Sequence, residues 1–122
     1  MKLKSIKSIT IYCSSSNKIN KKYLQLAKKL GTYLALRKIN LVYGGGSNGL
    51  MGEISKNVKL NGGFVIGIMP KFLQTKENLN KNVDKIIIVN NMAERKKLLF
   101  KKGDAFIALP GGAGTLEEIT EI

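Results

Sequence analysis

The stretch Ala105-Phe106-Ile107-Ala108-Leu109-Pro110-Gly111-Gly112-Ala113-Gly114-Thr115-Leu116-Glu117-Glu118 decides the fold. Its first five residues are apolar and read as a short buried strand. From Thr115 to Ile122 the composition favours a helix. Between the two lie glycines, which let backbone N–H groups turn inward and let a phosphate approach without a Cβ clash. A helix start adds unsatisfied donors and a partial positive charge. Strand, anion-holding turn and helix are therefore expected in that order. Glu118 falls one turn into the helix, within reach of whatever the turn holds.

The same order recurs upstream. Ser8-Ile9-Thr10-Ile11-Tyr12-Cys13 is β-branched and short, a first strand, followed by the polar loop Ser14-Ser15-Ser16-Asn17. Asn20 is placed to cap a helix. Tyr23, Leu24, Ala27, Leu30 and Leu34 then recur at helical spacing, with lysines on the other face, as far as Arg37. Leu41-Val42-Tyr43 is a second strand, and Gly44-Gly45-Gly46-Ser47-Asn48-Gly49 a second glycine turn. A helix is expected over 50–60 with Leu50, Met51, Ile54 and Val58 inward, ended by Asn61-Gly62-Gly63. Phe64 to Ile68 is a third strand closed by Met69-Pro70, and Phe72-Leu73 begins a short helical turn. Lys85 to Val89 is a fourth strand. Asn90 or Asn91 caps a helix running through Lys102, with Met92, Leu98 and Leu99 at core spacing and Gly103 as its terminator. Each polar or glycine-rich turn follows a strand. That alternation predicts an α/β fold: a Rossmann-like doubly wound parallel sheet in three α/β/α layers. Ligands of such sheets bind at the carboxyl ends of the strands.

The chain has 122 residues, enough for one domain over 1–122. It ends a few residues into the last helix, so the domain is expected to be incomplete at its C-terminus. The net charge is +13, and no carboxylate precedes Glu53. The lysines are scattered and not interleaved with aromatics, so compositional drift is a better reading than a specific nucleic-acid face. The single cysteine, Cys13, excludes an internal disulfide. The absence of His removes His-based metal sites and His general bases. No metal and no cofactor is expected. No 18-residue apolar run and no signal-peptide core is present, which points to a cytoplasmic protein without a membrane partner. The second glycine turn lacks the acidic residue, about twenty positions on, that a dinucleotide fingerprint requires. Ile68-Met69-Pro70 stands there instead, which favours a smaller nucleotide than NAD.

The run Pro110 to Glu118 resembles the Pro-Gly-Gly-x-Gly-Thr-x-x-Glu signature of the LOG family, with every fixed position matched. These are the cytokinin riboside 5′-monophosphate phosphoribohydrolases, whose members have often been mislabelled lysine decarboxylases. Two further stretches carry the resemblance. Gly44 to Gly52 matches Gly-Gly-Gly-x-x-Gly-Leu-Met-Gly. Met92-Ala93-Glu94-Arg95-Lys96 is similar to Met-His-x-Arg-Lys, with Ala93 in place of the His. At the first loop Cys13-Ser14-Ser15 stands where the family reads Gly-Ser-Ser. The resemblance implies a Rossmann-like fold, a small-molecule nucleotide substrate, a homodimer at full length, and a chain that continues past Ile122. It implies further that Glu77, after Met69-Pro70, contacts the ribose; composition alone reads Glu77 as a solvated loop residue. Arg95-Lys96 alone would read as an exposed first turn, but that turn follows a strand's C-terminal end, which favours a role at the ligand.

A phosphate cradle, a cation able to fork onto oxygens and one or more carboxylates suffice to cleave a glycosidic bond in a phosphorylated nucleoside. The N–H groups of Gly112, Ala113, Gly114 and Thr115, with the Thr115 hydroxyl, are expected to hold the 5′-phosphate, Gly111 to bind substrate beside them, and Leu116-Glu117 to line the ribose. Glu118 is assigned to C1′ as base or cation stabiliser, Arg95 to the ribose or phosphate region and to holding Glu118 ionised, Lys96 to substrate, and Glu77 to the ribose hydroxyls. Arg95 and Glu118 are the catalytic pair of this reading. The expected reaction is hydrolysis of a cytokinin riboside 5′-monophosphate, or AMP as in an AMP nucleosidase, to free base and ribose 5-phosphate. The alternative is a non-catalytic nucleotide or cofactor carrier on the same scaffold. A decarboxylase would need pyridoxal phosphate on a Schiff-base lysine in its own pocket, and no lysine here has that context.

Overall fold

The computed structural model describes residues 5–109. Five strands form one sheet in the order β4-β3-β2-β1-β5: β1 (Ser8–Tyr12), β2 (Asn40–Tyr43), β3 (Val65–Pro70), β4 (Lys85–Val89) and β5 (Ala105–Ala108). Every pairing is parallel. Three α-helices connect them: α1 (Lys21–Leu36), α2 (Gly49–Leu60) and α3 (Met92–Lys102). A single 3-10 turn, Lys71–Leu73, stands between β3 and β4. The expected doubly wound sheet is therefore present. The helix expected from Thr115 onward lies outside the described residues, as do Gly111, Gly112, Ala113, Gly114, Thr115, Leu116, Glu117 and Glu118.

Helices cover both faces. On one, Ala27 and Leu34 of α1 and Leu50, Ile54 and Val58 of α2 pack on Ile11, Leu41 and Val65. On the other, Leu99 of α3 packs on Tyr12, Val42, Ile68 and Val89. The alternation follows from the pleat, which sends successive strand residues to opposite faces.

Several boundaries differ from the expected ones. The third strand runs to Pro70, which pairs with Val89. Phe64 stays outside it and remains 45% exposed. Asn91, not Asn90, is the N-cap of α3, accepting from Glu94 N at 2.9 Å; Glu94 reaches back to Asn90 N at 2.8 Å, a variant of the capping box. Gly103 ends α3 in extended geometry, not as a left-handed cap. A Cβ there would collide with Thr10, whose hydroxyl donates to Leu99 O at 2.7 Å and ties α3 to β1.

The amino ends of the strands are closed by two aspartates. Asp104 Oδ2 accepts from Lys7 N (2.9 Å) and Ser8 N (3.0 Å). Asp84 Oδ2 accepts from Val65 N at 2.7 Å, and Lys59 Nζ lies 2.8 Å from Asp84 Oδ1. Burial opposes the Asp84 carboxylate, but the bonds from Lys59 and Val65 outweigh it and hold its pKa below the usual value.

Candidate functional site at the carboxyl edge

Strand order reverses between β1 and β5: the chain builds outward from β1 to β4 and then returns to β1's other side. Such a reversal opens a crevice at the carboxyl ends. The loop after β1, 13–17, lies there. The chain leaves β5 beside it, with Leu109 N donating to Tyr12 O at 2.9 Å. Leu109, the last described residue, therefore stands at this reversal point.

Arg95 occupies the neighbouring position, over the ends of β2 and β3. It projects from the first turn of α3 yet is only 2% exposed. Burying a guanidinium is costly unless its donors are matched. Here they are. Nε donates to Ile68 O (3.1 Å), and Nη2 donates to Gly44 O (2.6 Å) and Glu77 Oε1 (2.6 Å). Nη1 meets Glu77 Oε2 at 3.4 Å and Met92 Sδ at 4.0 Å. A guanidinium has five N–H donors, and each faces a protein acceptor.

The fork-to-fork approach fixes both oxygens of Glu77. Glu77, which composition reads as a solvated loop residue, is thus a partner of the buried cation. Its side chain is 12% exposed. Lys96 is half-buried and, one residue along α3, projects from a different side of the helix.

The Gly44–Gly49 turn takes part in this arrangement through close packing. A Cβ on Gly44 would overlap the Arg95 guanidinium, and one on Gly46 would lie 2.7 Å from Glu77 O. The turn is also stitched to the loop that carries Glu77. Ser47 N donates to Glu77 O (3.1 Å) and Asn78 O (2.8 Å), and Asn80 N donates to Gly45 O (2.9 Å). Asn48 Nδ2 reaches Lys76 O at 3.2 Å.

Behind the turn lies a polar cluster that the sequence did not reveal. Tyr43, with no exposed surface, donates its hydroxyl to Gly46 O at 2.9 Å. Asn80 Nδ2 donates to Tyr43 Oη (3.1 Å) and Ser55 Oγ (3.0 Å). Ser55 Oγ donates to Met51 O at 2.9 Å. Burial raises the Tyr43 phenol to about 12, against the weaker opposing effect of the Ser55 and Asn80 side chains beside it. Positions 43, 55 and 80 share no local spacing, so no motif could have announced them.

Comparisons with known proteins agree with this architecture. The family described as "Possible lysine decarboxylase" matches residues 51–122. The chain is 49% identical over 118 residues to cytokinin riboside 5′-monophosphate phosphoribohydrolase LOG1 of Arabidopsis thaliana, covering 95% of this chain and 54% of that protein. The chain belongs to the LOG family. A probable cytokinin riboside 5′-monophosphate phosphoribohydrolase of Oryza sativa subsp. japonica, LOGL9, is 46% identical over 93% of this chain and 50% of its own length. The chain thus spans about half the length of the curated relatives it matches. Among solved structures, the molybdenum cofactor carrier protein of Chlamydomonas reinhardtii superposes with a TM-score of 0.80 at 26% identity, covering 93% of this chain and 68% of that one. The molybdenum cofactor binding protein of Rippkaea orientalis gives 0.79 at 27%, over 93% and 68% of the two chains.

Proposed function

We propose that this LOG-family protein hydrolyses the N-glycosidic bond of a nucleoside 5′-monophosphate, releasing free base and ribose 5-phosphate. The substrate is a cytokinin riboside 5′-monophosphate, with AMP as the alternative substrate of a nucleosidase. The observation that carries this reading is the buried Arg95–Glu77 pair, 2.6 Å apart, at the carboxyl edge. It lies over the ends of β2 and β3, on the same carboxyl edge of the sheet at which β5 ends. A fixed, nearly enclosed carboxylate at the sheet edge where ligands of such folds bind suits a ribose whose hydroxyls need an oriented acceptor.

In this reading Gly111, Gly112, Ala113, Gly114 and Thr115 hold the 5′-phosphate, and Leu116-Glu117 line the sugar. Glu77, held by Arg95, accepts from the ribose hydroxyls. Lys96 is assigned to substrate by family likeness alone. Glu118 faces C1′. As the bond from C1′ to the base nitrogen breaks, Glu118 stabilises the ribosyl cation and takes a proton from the incoming water. The water oxygen bonds C1′, and the departing base gains a proton. Homodimerisation and a cytoplasmic location belong to the same reading, by family likeness.

The test is incubation of the full-length protein with AMP and with isopentenyl-AMP, followed by chromatography for free base. Glu118→Gln is expected to bind nucleotide and release no base. Unchanged turnover in Glu118→Gln refutes the assignment. The likeness to molybdenum cofactor carriers favours a second reading, cofactor binding without hydrolysis. It predicts ligand retention with no base released by the unaltered protein.

A further inference from the structure

We infer that Asn80 is a positioning residue for Glu77: its side chain fastens the 74–80 loop to Tyr43 and Ser55 and so sets where the Glu77 carboxylate stands. The inference rests on the proposed hydrolysis for its catalytic consequence, but not for its structural content.

The 74–80 loop has little apolar anchorage of its own. Thr75, Lys76 and Asn78 are exposed, and Asn78 adopts a left-handed φ of 55, which an Asn tolerates better than most residues. What holds the loop is polar. Its backbone meets the glycine turn through Ser47 N and Asn80 N, and two of its side chains reach inward: Glu77 to Arg95, and Asn80 to Tyr43 and Ser55. Every polar atom of that side chain is used. Nδ2 donates to both hydroxyls, and Oδ1 accepts from Asn82 N at 2.9 Å.

The direction of these bonds matters. The hydroxyl protons of Tyr43 and Ser55 are committed to Gly46 O and Met51 O, so both oxygens face Asn80 with lone pairs. Only a donor fits between them. An Asp of the same shape would set carboxylate oxygens against those lone pairs, or draw the hydroxyls off Gly46 and Met51. Either way the glycine turn and the loop carrying Glu77 lose their common anchor. Glu77 is three residues away, so a small shift there moves its carboxylate relative to Arg95.

The experiment is a double-mutant cycle on the full-length protein: Asn80→Asp, Glu77→Gln and the two combined, with kcat and KM for AMP and a melting temperature for each. Asn80→Asp is expected to lower kcat/KM by roughly ten- to a hundredfold, since about 1 Å of misplacement has that scale of effect. In the Glu77→Gln background it is expected to lower it no further, within about twofold. An equal loss in both backgrounds, or a folded Asn80→Asp protein with unchanged kcat/KM, overturns the inference. Tyr43→Phe, which keeps the ring and removes one anchor, serves if Asn80→Asp does not fold, and must show the same non-additivity. If the unaltered protein releases no base, the proposed function fails instead, and amide exchange then decides on Asn80. Faster exchange at Ser47 N in Asn80→Asp or Tyr43→Phe supports the anchor; unchanged exchange overturns it.

Discussion

The two faces of the sheet solve opposite problems. Under α1 and α2, the buried side chains meeting the sheet are mostly apolar: Leu34, Ile54 and Val58 have no exposed surface. Under α3, the first turn of the helix drives a guanidinium into the end of the sheet, and a loop from between β3 and β4 brings the carboxylate that matches it. The first face gains stability from area, which is tolerant of small changes in shape. The second holds a charge whose energy depends on each partner being in place. Function is expected on the second, because chemistry needs polar groups held against their tendency to stay in water.

The sharpest way to break this contrast is Arg95→Ala. Removing the cation strands the Glu77 carboxylate in a nearly enclosed site, with an expected loss of about 3–5 kcal/mol by denaturant unfolding and no base release. A loss below about 1 kcal/mol would show that the pair is a surface ion pair.

The next effect is alkaline. Burial pushes the Tyr43 phenol up to about 12 in the folded chain, from the 10.0 of an exposed phenol. Below pH 10 both states are neutral and the full stability is present. As pH rises through 10 toward 12 the unfolded phenol ionises first, so stability falls, by roughly 2–3 kcal/mol across that window. Tyr43→Phe is expected to flatten this alkaline limb in urea titrations at successive pH values; an unchanged slope removes Tyr43 as its cause.

The smallest effect is Ile54→Val on the apolar face. It is expected to cost about 1 kcal/mol of stability and leave kcat/KM for the nucleotide unchanged. A change in kcat/KM would mean that the two faces are coupled.

Much of the fold was legible because periodicity carries it. Leu50, Met51, Ile54 and Val58 recur at helical spacing and are all buried. Ile9, Ile11, Leu41 and Val42 mark buried strands whatever their register. Strand ends were less legible: Pro70 looks like a breaker, yet it closes β3 because the last residue of a strand can lack a donor. The site was half legible. Arg95 stood out as the first residue of the charged pair Arg95-Lys96 at a helix start. Its burial and its partner did not, because Glu77 lies 18 residues back and nothing local links them.

By itself, the sequence determined the parallel α/β order, the inward faces of the helices and family membership, since each depends on residues close together in the chain. Only the tertiary structure decided that Gly44 yields space to Arg95, that Arg95 faces Glu77, and that Asn80 bridges Tyr43 to Ser55. Those are contacts between helix, strand and loop residues far apart in the chain, and their distances are set by sheet order and register, which local spacing does not encode.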